Sequence, residues 1–296
     1  MVRLRRLQLA SALAVWMALT TATRAEDPPP SEIGAFVEQT AYLPHSDRQL
    51  WTERTGHDES PAQGQFGLAE RINALTRGRV QLEGGYIFTY DRGEDVSVTE
   101  HALPDLLLRI GLTERLELRV GWPGYRSVDY GGDWGDLSYD ETLDPNVGFM
   151  FDLWQQSGWR PQTALSAAVP IAMEDDPLVF DSLQPVAQLL YLWYLNDRWS
   201  IGGTTGMAIF EEYGDRYGQL QQSLDVDYVL SDRLGTFVQW TVLMDHGSED
   251  DGSQHLLSAG LARLWTERFQ TSLEMGAGLN QRAPDFLAAL RFAYRF

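Results

Sequence analysis

Few side chains in this sequence have the types and spacing that chemistry demands. The five histidines, His45, His57, His101, His246 and His255, form no H-E-x-x-H run or other short metal spacing. The chain has no Cys, which removes thiol nucleophiles, thiolate zinc sites and disulfides. Glu174-Asp175-Asp176 and Glu249-Asp250-Asp251 lack the ordered spacing of a calcium loop. Asp225 and Asp227 stand two apart, so on a strand their carboxylates share one face, about 7 Å apart at about 3.3 Å per residue. Such a pair can act as acid and base, but beside arginines it forms ion pairs. We therefore expect no catalytic residue, no metal ligand and no cofactor.

The remaining charges follow a pattern. Arg79 and Glu83, Asp105 and Arg109, Glu117 and Arg119, Asp152, Asp225 and Asp227, Glu274, and Arg291 each lie on the polar parity of an alternating segment. Arg160, Arg295 and Asp144 are read the same way. In a narrow lumen, charges must be paired or hydrated, and Arg suits bidentate pairing with carboxylates.

The elements that position these residues are strands. Val80, Leu82, Tyr86, Phe88 and Tyr90 alternate with Gln81, Glu83, Ile87 and Thr89, which puts an apolar face against a mostly polar one. The pattern recurs in twelve segments: 78–90, 99–111, 115–125, 142–154, 159–173, 182–195, 198–210, 219–230, 233–244, 254–264, 268–279 and 285–296. The connectors alternate as well. Leu112-Thr113-Glu114-Arg115, Leu195-Asn196-Asp197-Arg198, Leu230-Ser231-Asp232-Arg233 and Trp265-Thr266-Glu267-Arg268 are tight turns whose short polar side chain can bond the turn backbone. The other connectors, 91–98, 123–141, 174–181, 211–218, 245–253 and 280–284, are longer and mostly acidic. Short turns at one end and long loops at the other predict an all-β, antiparallel transmembrane β-barrel of about 12 strands.

Composition and the chain ends agree. Arg3, Arg5 and Arg6 precede an apolar run and small residues up to Ala25, the order of a cleaved secretory signal. The chain carries 42 acids against 23 basic residues, all Arg, which argues against nucleic-acid binding. Residues 1–25 are read as the signal peptide, 26–77 as a periplasmic or plug-like pre-barrel segment, and 78–296 as the barrel. Leu68, Ile72 and Leu75 recur at helical spacing within 66–76, which fits either a short amphipathic helix that plugs or underlies the lumen or a disordered periplasmic tether. Phe292, Tyr294 and Phe296 share one face of the last strand. A terminal aromatic there resembles the assembly signal of bacterial outer-membrane proteins, and implies the outer membrane, its lipids and the barrel assembly machinery as location and partners. A barrel hydrolase would show Ser and His on one strand face beside lipid, and the sequence offers no such pair.

Specific residues also resemble one outer-membrane family, the transporters associated with the meta-pathway of phenol degradation. Gly78-Arg79-Val80-Gln81-Leu82-Glu83-Gly84-Gly85-Tyr86 is similar to its first barrel strand. His101-Ala102-Leu103-Pro104-Asp105-Leu106-Leu107-Leu108-Arg109 resembles its second, and Gly111-Leu112-Thr113-Glu114-Arg115-Leu116-Glu117-Leu118-Arg119 its first tight turn and third strand. Gly121-Trp122-Pro123-Gly124-Tyr125 follows suit, and Asp58-Glu59-Ser60-Pro61 echoes an upstream stretch. The resemblance implies a barrel that passes a small-molecule solute. A filled structural barrel is the alternative function, and an outer-membrane enzyme the third.

Overall fold

A computed structural model describes residues 72–93, 96–132, 137–171, 184–212, 215–247 and 252–296. The signal segment expected over 1–25, and the pre-barrel segment up to residue 71, lie outside them. The alternating segments form β1 (Val80–Arg92), β2 (Val96–Gly111), β3 (Leu116–Gly132), β4 (Leu137–Thr142), β5 (Asn146–Trp154), β6 (Gln162–Pro170) and β7 (Val186–Tyr194). They continue as β8 (Trp199–Glu212), β9 (Asp215–Ser231), β10 (Leu234–His246), β11 (Gly252–Thr266), β12 (Phe269–Gly278) and β13 (Phe286–Arg295). Each pairs antiparallel with its neighbours, and β1 pairs with β13, so the sheet closes on itself. β4 and β5 both pair with β3, at Tyr125–Tyr130 and Leu116–Gly121 respectively. They are one stave interrupted around Pro145, which makes twelve staves from thirteen segments.

Burial is inverted relative to a water-soluble protein. Leu290, Phe149, Val238 and Met275 on the outer parity are each about half exposed, whereas Gln81, Glu117 and Arg109 on the inner parity are fully buried. An apolar belt with a polar interior is what hydrocarbon selects, since closure satisfies every backbone group within the sheet. Among the described residues no helix is long and apolar enough to cross a membrane; the crossing elements are strands. Trp154, Trp199 and Trp265 stand exposed near strand ends, and Trp159 is 92% exposed in the 155–161 connector. Those positions suit rings at the head-group level.

The tight turns form as their chemistry predicts. Thr113 Oγ1 accepts from the Arg115 and Leu116 amides at 3.2 and 3.0 Å, and Asn196 Oδ1 from Arg198 and Trp199 at 2.9 and 3.0 Å. Thr266 and Ser231 do the same for Arg268 and Arg233 at 3.2 and 3.4 Å. The opposite end differs from expectation. Much of the sequence read as long acidic loops is strand: β3 runs on to Gly132, β4 starts at Leu137, β8 and β9 extend to Glu212 and from Asp215, and β10 reaches His246. The barrel therefore stands taller on that side than hydropathy alone implies, because polar residues keep pairing beyond the apolar belt.

One irregularity resets the facing of β2 and β3. Val98, Glu100 and Ala102 face inward, and so do Asp105, Leu107 and Arg109, so the inward parity changes across Leu103–Pro104. The chain inserts one extra residue there relative to β1, where the register shifts between Glu83 and Ile87. Asp105 takes a left-handed φ of 43°, which Asp tolerates better than most residues. Opposite it, Gly124 has φ +91°, and a Cβ there would lie 2.2 Å from the Leu103 carbonyl oxygen. Only glycine fits both constraints.

Candidate functional site

The lumen at the tight-turn end holds a connected set of charges. Arg109 and Arg119 stand directly opposite each other on β2 and β3. Two guanidiniums across a strand pair repel, and Glu117 resolves the conflict. Its carboxylate accepts from Arg109 Nε at 2.8 Å and Nη2 at 2.9 Å, and from Arg119 Nε at 2.7 Å. Arg109 Nη1 also reaches Glu83 Oε1 at 3.2 Å. Glu83 accepts from Gln81 Nε2 at 2.6 Å, and Gln81 Oε1 accepts from Arg295 Nε at 3.2 Å. The chain of bonds thus runs from β13 through β1 and β2 to β3. Arg109 and Glu117 are both fully buried, where each charge is tolerable only because the others satisfy it.

Residues 72–76 lie on this network as a strap. Residues 72 and 73 form a turn and a bend and 74–76 have no regular secondary structure, with two of their amides taken by lumen side chains; the remainder of the segment read for a helix, 66–71, lies outside the described residues. The Ala74 amide donates to Asp152 Oδ1 at 2.8 Å, and the Leu75 amide to Glu117 Oε2 at 2.7 Å. Arg109 Nη2 donates to the Asn73 carbonyl at 3.1 Å, and Gln162 donates to the Asn73 side chain. Ile72 packs against Met150, Ala164 and Leu192 on β5, β6 and β7. The strap crosses the rim at Gly111, where a Cβ would stand 2.0 Å from the Thr76 carbonyl oxygen. Glycine there is required by close approach, not by conformation.

Higher in the lumen the charges form separate pairs. Glu274 on β12 accepts from Ser258 Oγ at 2.6 Å and from Arg291 Nη1 at 3.1 Å. Arg126 on β3 bonds Glu141 and lies 3.5 Å from Glu100. Asp225, Asp227 and Asp105 are buried on the inner face. Between them the inner face is amide and hydroxyl, with seven buried Gln and four buried Ser. An apolar band of Ile87, Ala102, Val186, Ala208, Leu243 and Leu287 adds a surface without polar groups.

Of the residues read as lumen-lining, Glu83, Asp105, Arg109, Glu117, Arg119, Asp152, Asp225, Asp227 and Glu274 are buried on the inner face, and Arg291 is partly buried there. Three expectations need correction. Arg79 precedes β1 and is exposed at the rim. Arg160 is exposed in the turn before β6, with its guanidinium 5.7 Å from the Trp154 ring centroid. Asp144 falls in the break between β4 and β5 and is half-buried. Phe296, Tyr294 and Phe292 do share the outer face, and the Phe296 amide donates to the Val80 carbonyl at 3.0 Å, closing the last strand on the first.

A Ser–His pair is present after all. Ser253 Oγ lies 3.0 Å from His255 Nε2 on the outer face of β11, and the imidazole stacks on Trp240. Asn280 does not orient the ring. Its Oδ1 accepts from the His255 backbone amide at 3.0 Å and its Nδ2 donates to the Ser253 carbonyl at 2.6 Å. The arrangement clasps the rim between β11 and the 279–285 connector. A general base in a hydrolase needs its second ring nitrogen held by a third group, and Asn280 spends both of its polar atoms on backbone. Among the described residues no group of three His, Cys, Asp or Glu side chains is placed to hold a metal ion.

Several solved structures align with this chain. The NanC porin aligns over 73% of this chain and 100% of its own at 10% identity and a TM-score of 0.46. The translocator domain of autotransporter NalP from Neisseria meningitidis aligns over 77% and 92% at 9% identity and a TM-score of 0.49. The KdgM porin in complex with disordered oligogalacturonate aligns over 74% and 99% at 8% identity and a TM-score of 0.44. No curated protein matches the chain in sequence. The family whose description reads "Putative MetA-pathway of phenol degradation" matches residues 60–296, from the Ser60-Pro61 echo through all thirteen strands, and the chain belongs to that family.

Proposed function

We propose that this protein is an outer-membrane channel through which small molecules, aromatic compounds among them, pass without chemical change. The observation that carries the reading is the inverted burial of a closed barrel, apolar outside and lined inside by Gln, Ser and paired charges. The apolar band around Ile87, Leu243 and Leu287 supports aromatic solutes, because a ring can lie on it while its polar groups bond the amide wall. The family's phenol-degradation description points the same way. In this reading residues 1–25 are removed on export, the tight turns face the periplasm, and the terminal aromatic face addresses the assembly machinery.

Charge sets the selectivity. Among the described residues, nine carboxylates and four guanidiniums are buried on the barrel wall. A lumen lined by one sign concentrates the opposite ion, so the open channel favours cations over anions. Reversal potentials of the reconstituted protein in a salt gradient test this. Cation preference that fades at high salt supports the reading, since screening shortens to about 3 Å at 1 M. Anion preference lost with Arg109→Ala and Arg119→Ala would replace it with an arginine-lined anion site. A filled, structural barrel is the second reading, favoured by the strap lying in the lumen, and it requires no conductance under any condition.

A further inference from the structure

We propose that residues 72–76 are an autoinhibitory strap whose displacement opens the tight-turn mouth of the lumen. The inference rests on the channel reading, and is carried by how the strap is held. Most of the bonds that fasten it come from lumen-wall groups. Two backbone N–H donors meet the carboxylates of Asp152 and Glu117, one carbonyl meets Arg109, and one side chain, Ile72, fills a shallow apolar slot of Met150, Ala164 and Leu192. These bonds span six inner positions on β2, β3, β5, β6 and β7, so the strap covers that sector of the wall rather than skirting it. A permanent plug is ordinarily fixed by its own packed core. This strap instead uses, one by one, polar groups that a passing solute would also meet, so it competes with solute for them.

The hinge is equally defined. Arg79 N bonds the Thr76 carbonyl at 3.0 Å, and Gly78 N bonds the Gly111 carbonyl at 2.9 Å, which ties the strap's end to the rim of β2. Gly78 between them has φ +81°, and a side chain there would meet nothing within 4 Å. Movement about this point lifts residues 72–76 without breaking any strand pair. Clearance at this same end depends on Gly111: with a methyl group at that position, the Thr76 and Leu75 carbonyl oxygens would stand 2.0 and 2.4 Å from it.

Two variants displace the strap by different routes. Gly111→Ala pushes it away from the rim, and the double change Ala74→Pro with Leu75→Pro deletes the two amide donors while leaving every barrel residue intact. The full chain has no Cys, so Met150→Cys under the strap gives a single thiol whose labelling rate by a small maleimide reads strap position directly. Heat-dependent gel mobility verifies that each barrel is folded. We expect at least tenfold faster labelling in both strap variants, together with at least a twofold rise in single-channel conductance. Unchanged labelling and conductance in folded variants would overturn the strap. Faster labelling with no conductance in any protein would sustain the strap's seat but overturn the channel reading on which its function rests. Faster labelling with an unchanged, finite conductance would overturn the autoinhibitory role.

Discussion

Neutralising Glu117 is the sharpest test of how the lumen is held together. Glu117→Gln keeps the shape of the side chain but removes the charge that reconciles Arg109 with Arg119. In the native barrel that carboxylate receives three guanidinium bonds of 2.7–2.9 Å and the Leu75 amide at 2.7 Å, all without access to solvent. Breaking a buried ion pair by removing one partner costs about 3–5 kcal/mol. Arg109 keeps Glu83 and the Asn73 carbonyl, which places the expected loss at the low end, about 3 kcal/mol. At about 1.4 kcal/mol per decade, that is roughly a hundredfold shift in the unfolding equilibrium. Denaturant unfolding in detergent micelles, followed by tryptophan fluorescence, reads it as a lower midpoint with an unchanged slope. Glu274→Gln is the internal comparison. Its partner Arg291 is 20% exposed, so the loss there should be about 1 kcal/mol. Equal midpoints for Glu117→Gln and the native chain would refute the argument, because an unpaired guanidinium pair cannot be buried at no cost. Equal losses in the two variants would show that burial does not set the scale.

Three further outcomes follow from the geometry. Replacing Phe296 by Asp should leave export intact but block assembly, because the last strand closes on Val80 and an unpaired edge in lipid is costly; heat-modifiable barrel in the membrane fraction at native levels would count against it. Whole-cell maleimide labelling should reach Asp250→Cys and spare Asp232→Cys, whereas the reverse pattern would invert the topology. Gly124→Ala should destabilise the barrel by about 1–3 kcal/mol, since the alanine must adopt φ +91° against the Leu103 carbonyl, and an unfolding midpoint equal to that of the native protein would show that the bulge relaxes freely.

What the sequence discloses is what depends on local rules. Side-chain alternation has period two wherever one face is apolar, so every stave was legible, and Thr113, Asn196, Ser231 and Thr266 bond turn backbone two residues away, within reach of inspection. Errors arose at strand ends, where apolar content stops but pairing does not. Segments started at 78 and 159 carried Arg79 and Arg160 into the lumen, while β1 and β6 begin at Val80 and Gln162. The same effect hid Ser253 in a connector, two residues from its partner His255, and left Arg126, Glu100 and Glu141 unrecognised as a pairing group because 123–141 read as loop.

The strap was out of reach for a different reason. Its bonds join Leu75 to Glu117 and Ala74 to Asp152, residues 42 and 78 positions apart, and nothing in the spacing of one end announces the other. Helical periodicity in 66–76 rests on the spacing of three apolar residues and carries no information on the four buried polar partners that hold 73–75. Gly111 carried the only local trace of it. A glycine at the end of an otherwise well-packed strand weakens that strand, so its presence implies something passing close to the backbone. What passes is the strap, and the barrel gives up a side chain at its rim to let residues 72–76 reach Glu117 and Asp152. The part of the lumen that sequence reasoning could not assemble is thus the part where the chain folds back onto itself, and it is also where a solute would have to compete with the protein's own backbone.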